Sequence, residues 1–318
     1  MASRTSRVSR SSARQPTIGF LGATTPQIWG GFVEAFQKRL RELGWIDGRN
    51  ITIDYRWAGG RGDRYAEIAK AFVRDGVDII VTSGTTPTLA AKRVTKTVPI
   101  VFAAAGDPVG AKLVKNLQRP GQNVTGQSNG QVELAGKRLD ELCKLLPGLK
   151  RLAIIGNLNN KMIPSEIAEI NKRARRLGIS TTVHDTGQRK QIRSVIKNLK
   201  GQVDAIFVCT SPSKTTHQSV VHIAAANAAL PTMHAFRTYV EQGGLMSYGP
   251  DFRAMFGHAA DLTDKILRGK KPGQLPVKAA KKCELVINER TAQMLGLTIP
   301  KAVRRRATVI ASRPNPAP

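Results

Sequence analysis

The stretch 78–106, DIIVTSGTTPTLAAKRVTKTVPIVFAAAG, constrains the fold more than any other part of the chain. Two short apolar runs, 79–81 and 100–104, flank a segment, 87–95, that reads as a helix. A helix between two such strands makes them parallel, because the crossover is right-handed. Ser83, Gly84, Thr85 and Thr86 lie between the first strand and Pro87. Pro suits the first turn of a helix, and Ser or Thr suits the position before it. Open α/β sheets bind ligands where a parallel strand ends and a helix begins. Backbone N–H groups, hydroxyls and the positive helix end favour a carboxylate or a phosphate there.

The same alternation runs through most of the chain. Strand patterns at 17–21, 51–55, 79–81, 100–104 and 124–128 are separated by helical patterns at 28–43, 64–72 and 87–95, with a short helix expected over 109–117. A second series follows. Helical patterns at 134–146, 165–177 and 192–199 alternate with strands at 151–156, 179–184 and 205–209. Ser211, Pro212 and Ser213 read as the cap of a further helix running through His222. Strands at 231–235, 244–248 and 284–287 and a helix at 252–267 complete the pattern. The expected fold class is α/β, with two doubly wound parallel-sheet lobes. Residues 1–16 read as a disordered basic tail and 308–318 as a Pro-rich tail.

At 318 residues the chain has room for two cores. No apolar run approaches the roughly 18 residues of a membrane helix. Aromatic residues make up only 5%, which argues against base-stacking sheets as the main function. The net charge of +28 is the compositional anomaly. Nine of those charges lie at the ends, on Arg4, Arg7, Arg10, Arg14, Lys301, Arg304, Arg305, Arg306 and Arg313. Such a surplus attracts polyanions, but no nucleic-acid motif accompanies it, so nucleic acid is not the expected partner. Cys143, Cys209 and Cys283 lack metal-ligand spacing, and no metal or cofactor is expected. The opening MASRTSRVSRSSARQP is basic without an apolar core, so no secretory signal is visible in it.

Several loops rich in small and hydroxyl residues fall at strand carboxyl ends: Ala23–Thr24–Thr25, Ser83–Gly84–Thr85–Thr86, Ala104–Ala105–Gly106–Asp107, Asn157–Leu158–Asn159 and Thr210–Ser211. Each one alone reads first as a helix cap. As a set they suit a small polar ligand. Asp107 and Asp251 each pose the choice between capping a helix and pairing with a ligand amine. Trp29 begins the first helix beside Thr25 and could line a cleft, with Phe236 and Tyr248 as aromatic candidates opposite and at the hinge. Phosphate loops are excluded: there is no GxxxxGK[ST] and no GxGxxG. No serine sits in a GxSxG elbow and no carboxylate pair is close in sequence, so an enzyme is not expected.

The order of segments resembles the ABC transporter substrate-binding protein family that includes tryptophan- and tyrosine-binding members, with a type I periplasmic-binding fold. The stretches that carry this are IGFLGATTP, RELGWIDGRNITIDYRWAGG, DIIVTSGTTPTLAAKRVTKTVPIVFAAAGDPVGAKLV and RPGQNVTGQSN, then KLLPGLKRLAIIGNLNN, GGLMSYGPDFRAMFGHAA, KILRGKKPGQLPV and ELVINERTAQMLGLTIP. The resemblance implies lobe 1 from 17–125 plus 248–286 and lobe 2 from 126–247 plus 287–307. Three hinge crossings join them, near 123–128, 245–249 and 285–289. It implies a monomer that captures an aromatic amino acid or aromatic carboxylate by hinge closure and delivers it to an ABC permease in the membrane. By that analogy Ser83, Gly84, Thr85 and the Ala104–Ala105 backbone hold the ligand's carboxylate. Thr24, Thr25, Trp29, Asp107 and Ser128 line the same side. Asn157, Thr210 and Phe236 face them, and Asp251 is a candidate amine partner. The location implied is periplasmic or membrane-associated. The basic surplus and the missing signal favour an alternative, a cytoplasmic ligand-sensing or nucleic-acid-associated protein on the same fold.

Overall fold

The structure, a computed structural model, describes residues 14–160, 163–210, 218–280 and 283–312. The first lobe begins with β1 (Thr17–Gly22), α1 (Pro26–Glu42), β2 (Thr52–Trp57), α2 (Arg64–Arg74), β3 (Ile79–Thr82), α3 (Thr85–Val94), β4 (Ile100–Ala105) and β5 (Val124–Ser128). The second contains α4 (Ala135–Leu145), β6 (Arg151–Gly156), α5 (Ile163–Arg176), β7 (Ser180–Asp185), α6 (Arg189–Leu199), β8 (Ala205–Val208), α7 (Gln218–Asn227), β9 (Thr232–His234), α8 (Arg237–Glu241) and β10 (Met246–Pro250). The chain then returns to the first lobe through α9 (Phe252–Leu267) and β11 (Lys278–Ala279). It ends in the second with β12 (Cys283–Asn288), α10 (Glu289–Met294), α11 (Lys301–Arg304) and β13 (Ala307–Ile310).

Among the described residues these strands form two sheets, ordered β11-β5-β4-β3-β1-β2 and β13-β12-β10-β9-β8-β6-β7. Every pairing is parallel except β10 with β12. β3 and β4 are buried along their whole length, as parallel strands covered on both faces must be. On one face of the first sheet, Ile68, Ala69 and Phe72 of α2 pack with Ile80, Ile100 and Phe102. On the other, Val33, Phe36 and Leu40 of α1 pack with Phe256, Ala259 and Ala260 of α9. The second sheet is sandwiched in the same way between the α4–α5 and α6–α7 layers. Close packing leaves no room at Gly126 in β5, where an added β carbon would stand 2.2 Å from the Phe102 carbonyl oxygen.

Several expectations change. β5 ends at Ser128, as the pattern at 124–128 predicts, with β4 and β11 as its backbone partners, so the first lobe runs past the expected boundary at 125. The whole of β10 and of β12 belongs to the second sheet. Sheet membership therefore moves the crossings off the expected 123–128, 245–249 and 285–289, to just after Ser128, just after Pro250 and between β11 and β12. Residues 109–117 form turns instead of a helix: Asp107 Oδ1 accepts from Gly110 N at 2.8 Å and Lys112 adopts φ +56°. Residues 308–310, expected as tail, belong instead to the strand β13, paired in parallel with β12. The basic ends are partly docked on the body. Arg14 donates to the Gly76 carbonyl, Arg304 pairs with Glu289, and Arg306 reaches Glu141 at 2.7 Å. The expected cap at Ser211–Ser213 lies outside the described residues.

Candidate functional site

The carboxyl ends of β1, β3, β4 and β5 form one rim of the first lobe. They are neighbours in the sheet, so successive loops lie about 5 Å apart. Thr24, after β1, is buried, and its Oγ1 has no partner among the described residues. Ser83, after β3, is 3% exposed. Gly84 adopts φ +101°, a region that only glycine enters readily. Its N–H donates to the Ala104 carbonyl at 2.6 Å, which ties the β3 and β4 loops together. Helix α3 starts at Thr85, two residues before the expected start, so its N-cap is Gly84 instead of a hydroxyl residue. No side chain caps it. Its first-turn N–H groups keep the unmatched donor character of a helix start. Thr85 Oγ1 accepts from Gly106 N at 3.2 Å, which leaves the hydroxyl proton available to donate.

Other expected residues are committed elsewhere. Asp107 caps the turn at Gly110. Asp251 caps α9, accepting from Arg253 N and Ala254 N. Thr25 is the N-cap of α1 through its carbonyl, which accepts from Ile28 N and Trp29 N. Trp29 is half-buried and meets Phe20, Trp57 and Phe256 edge-on at 5.7–6.5 Å between centroids, so much of its ring belongs to the core. Ala104 and Ala105 are buried, and the Ala105 carbonyl accepts from Asn129 N at 2.9 Å. Ser128 Oγ accepts from Gly130 N at 3.3 Å.

On the second lobe, Asn157, Thr210 and Phe236 follow the neighbouring strands β6, β8 and β9. Asn157 Oδ1 accepts from Asn159 N at 3.1 Å. The Phe236 ring meets Phe252 of α9 at 4.5 Å, a contact between the lobes beside the second crossing. Thr210 is held by a carboxylate that sequence reasoning missed. Glu166 of α5 is fully buried and accepts from Thr210 N at 3.0 Å and Thr210 Oγ1 at 3.2 Å. It also accepts from Gln131 Nε2 at 2.9 Å and from Arg138 Nη1 at 3.3 Å.

Arg138 of α4 is as buried as Glu166. It donates to the Gln131 carbonyl at 2.9 Å and, through Nε, to the Tyr248 carbonyl at 2.9 Å. It thereby ties the first crossing to β10 at the second. Burial pushes the Glu166 carboxyl up, while Arg138, Gln131 and both Thr210 donors pull it down. Four donors aimed at one carboxylate favour the ionised form, so the pair acts as a buried ion pair.

A concavity of about 660 Å³ lies between α2 and α3, lined by Asp63, Tyr65, Lys70, Thr86, Leu89 and Arg93 among others. Every lining residue belongs to the first lobe, so it is separate from the space between the two rims. No group of three or more His, Cys, Asp or Glu side chains is placed to hold a metal among the described residues. None of the three cysteines is in a disulfide.

Two parallel-sheet lobes joined by three crossings define a bilobal binding protein of the type I periplasmic-binding class. Within that class the chain belongs to the ABC transporter substrate binding protein family, which matches residues 28–310. It is 29% identical over 286 residues to the tyrosine-binding protein of Clostridioides difficile, covering 90% of this chain and 82% of that one. A Streptococcus pneumoniae domain in complex with L-Trp superposes with a TM-score of 0.86 at 27% identity, over 93% of this chain and 100% of that one. A ligand-free, open substrate binding protein with adhesive properties from Clostridium difficile superposes with a TM-score of 0.74 at 25% identity, over 94% of this chain and 100% of that one.

Proposed function

We propose that this protein captures a small carboxylated ligand, an aromatic amino acid or aromatic acid, between its lobes and hands it to an ABC permease for import. The observation that carries the reading is the start of α3: an uncapped helix end flanked by Ser83 and by a Thr85 hydroxyl with a proton to give. A carboxylate is the small anion that such a site suits, since no Lys follows the glycine as a phosphate loop requires. Thr24, Ser83, Thr85 and the Ala104–Ala105 backbone hold the carboxylate side, and Asn157, Thr210 and Phe236 close from the second lobe. The tyrosine and tryptophan named for two relatives support an aromatic ligand. Superposition is better on the tryptophan complex than on the open relative, although the identities are similar. That supports hinge closure as the means of capture. Import places the protein outside the cytoplasmic membrane. Among the described residues no helix is long and apolar enough to cross a membrane.

Calorimetric titration with the aromatic amino acids and their deaminated acids tests the reading. Saturable one-site binding to at least one of them is expected. Absence of binding across the panel would overturn the ligand class.

A further inference from the structure

An amino-acid ligand presents an ammonium group as well as a carboxylate, and the acidic candidates for it each hold part of the scaffold as well. Asp107 and Asp251 spend oxygen lone pairs on the turn at Gly110 and on the start of α9. Glu166 accepts four hydrogen bonds and is sealed from solvent. Gln131 differs from all three. It lies three residues past the end of β5, at the first crossing, and is 6% exposed. Its Nε2 donates to Glu166 Oε2 at 2.9 Å and to the Thr210 carbonyl at 3.3 Å. Two acceptors on that side fix which end of the carboxamide is the NH₂ group, because the oxygen would be repelled there.

The Oε1 atom must therefore face the other way, toward the first lobe. It does so at the end of β4, where a β carbon added to Gly106 would stand 2.7 Å from it. Among the described residues it accepts no hydrogen bond. The backbone of Gln131 is pinned as well, through N to Asn129 Oδ1 at 3.0 Å and through O to Arg138 Nη1 at 2.9 Å. An oriented and unmatched acceptor thus stands between Thr210 of one rim and Gly106 of the other.

We infer that Gln131 is a ligand-binding residue whose carboxamide oxygen accepts a hydrogen bond from the ligand's ammonium group, with Glu166 and Arg138 as the positioning residues that aim it. This rests on the proposed capture of a carboxylated ligand and adds a requirement for an amine. Gly106 N already donates to Thr85 Oγ1, so the loop beside Gln131 is the same one that meets the start of α3. A ligand whose carboxylate lies at α3 can then offer its α-amine to Gln131 without spanning the cleft. Specificity follows because a bound ligand covers this oxygen, and an analogue without the amine leaves it cut off from water and unpaired.

The test compares L-tyrosine and L-tryptophan with the matching 3-arylpropionates, which lack only the amine, by calorimetry on the whole protein and on Gln131→Met. Wild type is expected to favour the amino acid by about tenfold or more, and Gln131→Met to erase that preference by lowering amino-acid affinity much more than arylpropionate affinity. Gln131→Asn, which keeps a carboxamide but cannot span Glu166 and the cleft, is expected to lose the preference too. It decides the matter if the Met variant fails to fold by thermal unfolding. Three outcomes would overturn the inference: equal wild-type affinity for both compounds, an equal loss of both in the variants, or an unchanged preference. If wild type binds neither compound, the proposed ligand class falls first, and this assignment falls with it.

Discussion

Thr85 shows how a single hydroxyl can serve the scaffold and the ligand together. Accepting from Gly106 N fixes its rotamer and leaves only its proton to be placed. Ser83 lies two residues earlier and is 3% exposed. If both hydroxyls meet a carboxylate, Ser83→Ala weakens binding by about 1.5–3 kcal/mol, the worth of a hydrogen bond to a charged group. Calorimetry reads this directly, and an unchanged affinity removes Ser83 from the site. His222 makes a different prediction. It is buried beside His234, with Nδ1 3.0 Å from the Gln242 carbonyl, and burial lowers its pKa from 6.5 to about 4. Below pH 6.5 the unfolded chain takes up a proton that the folded chain refuses until about pH 4. Stability is therefore full at pH 7 and declines as pH falls across that window, by about 3 kcal/mol in all. Urea unfolding between pH 7 and pH 4 should show this slope, and His222→Gln should flatten it. An unchanged slope in the variant would show that other groups carry the acid sensitivity.

At the scale of elements, most strands and helices were legible because apolar spacing alone separates period two from period three to four. The misses have physical reasons. Helix α3 begins before Pro87 because Gly84 can take the φ +101° that lets the chain turn directly out of β3. Residues 109–117 have helical spacing, but Asp107 and Lys112 close turns there instead. The buried ion pair left a signal that was readable but not read. Ala135, Arg138, Leu139 and Leu142 occupy positions i, i+3, i+4 and i+7 of one stripe on α4. Ile163, Glu166, Ile167 and Ile170 repeat the pattern on α5. An opposite charge at the same place in each of two packed apolar stripes is the mark of a buried pair. Element packing also separates two glycines that look alike in sequence. Gly126→Ala drives a methyl group into the Phe102 carbonyl and ring and should cost about 3 kcal/mol or more. Gly257→Ala in α9 meets nothing within 4 Å and should stabilise by up to about 1 kcal/mol. Urea midpoints of the two variants test the contrast, and similar values would contradict the packing described for β5.

Across the whole molecule, the two-lobe plan could be read from the repeated βα series. The placement of the crossings could not, because it depends on which sheet offers each strand its partners. The opposing rims come from the strand ends that sequence had marked. The group that joins them, Gln131 with Glu166 and Arg138, lies where the first and second crossings meet. Arg138→Met leaves Glu166 charged and unpaired in the interior, so it should cost about 3–5 kcal/mol in chemical denaturation. A smaller cost would mean that the pair is not the fastening between crossings that its hydrogen bonds describe. The central claim is that the space between the rims is the binding site. A crystal structure of the protein with the aromatic amino acid found to bind would test it most directly. The account predicts the ligand between the lobes, its carboxylate about 3 Å from Ser83 and the first N–H groups of α3, and its amine at Gln131 Oε1. A ligand seated instead in the concavity between α2 and α3, with the space between the rims empty, would contradict it.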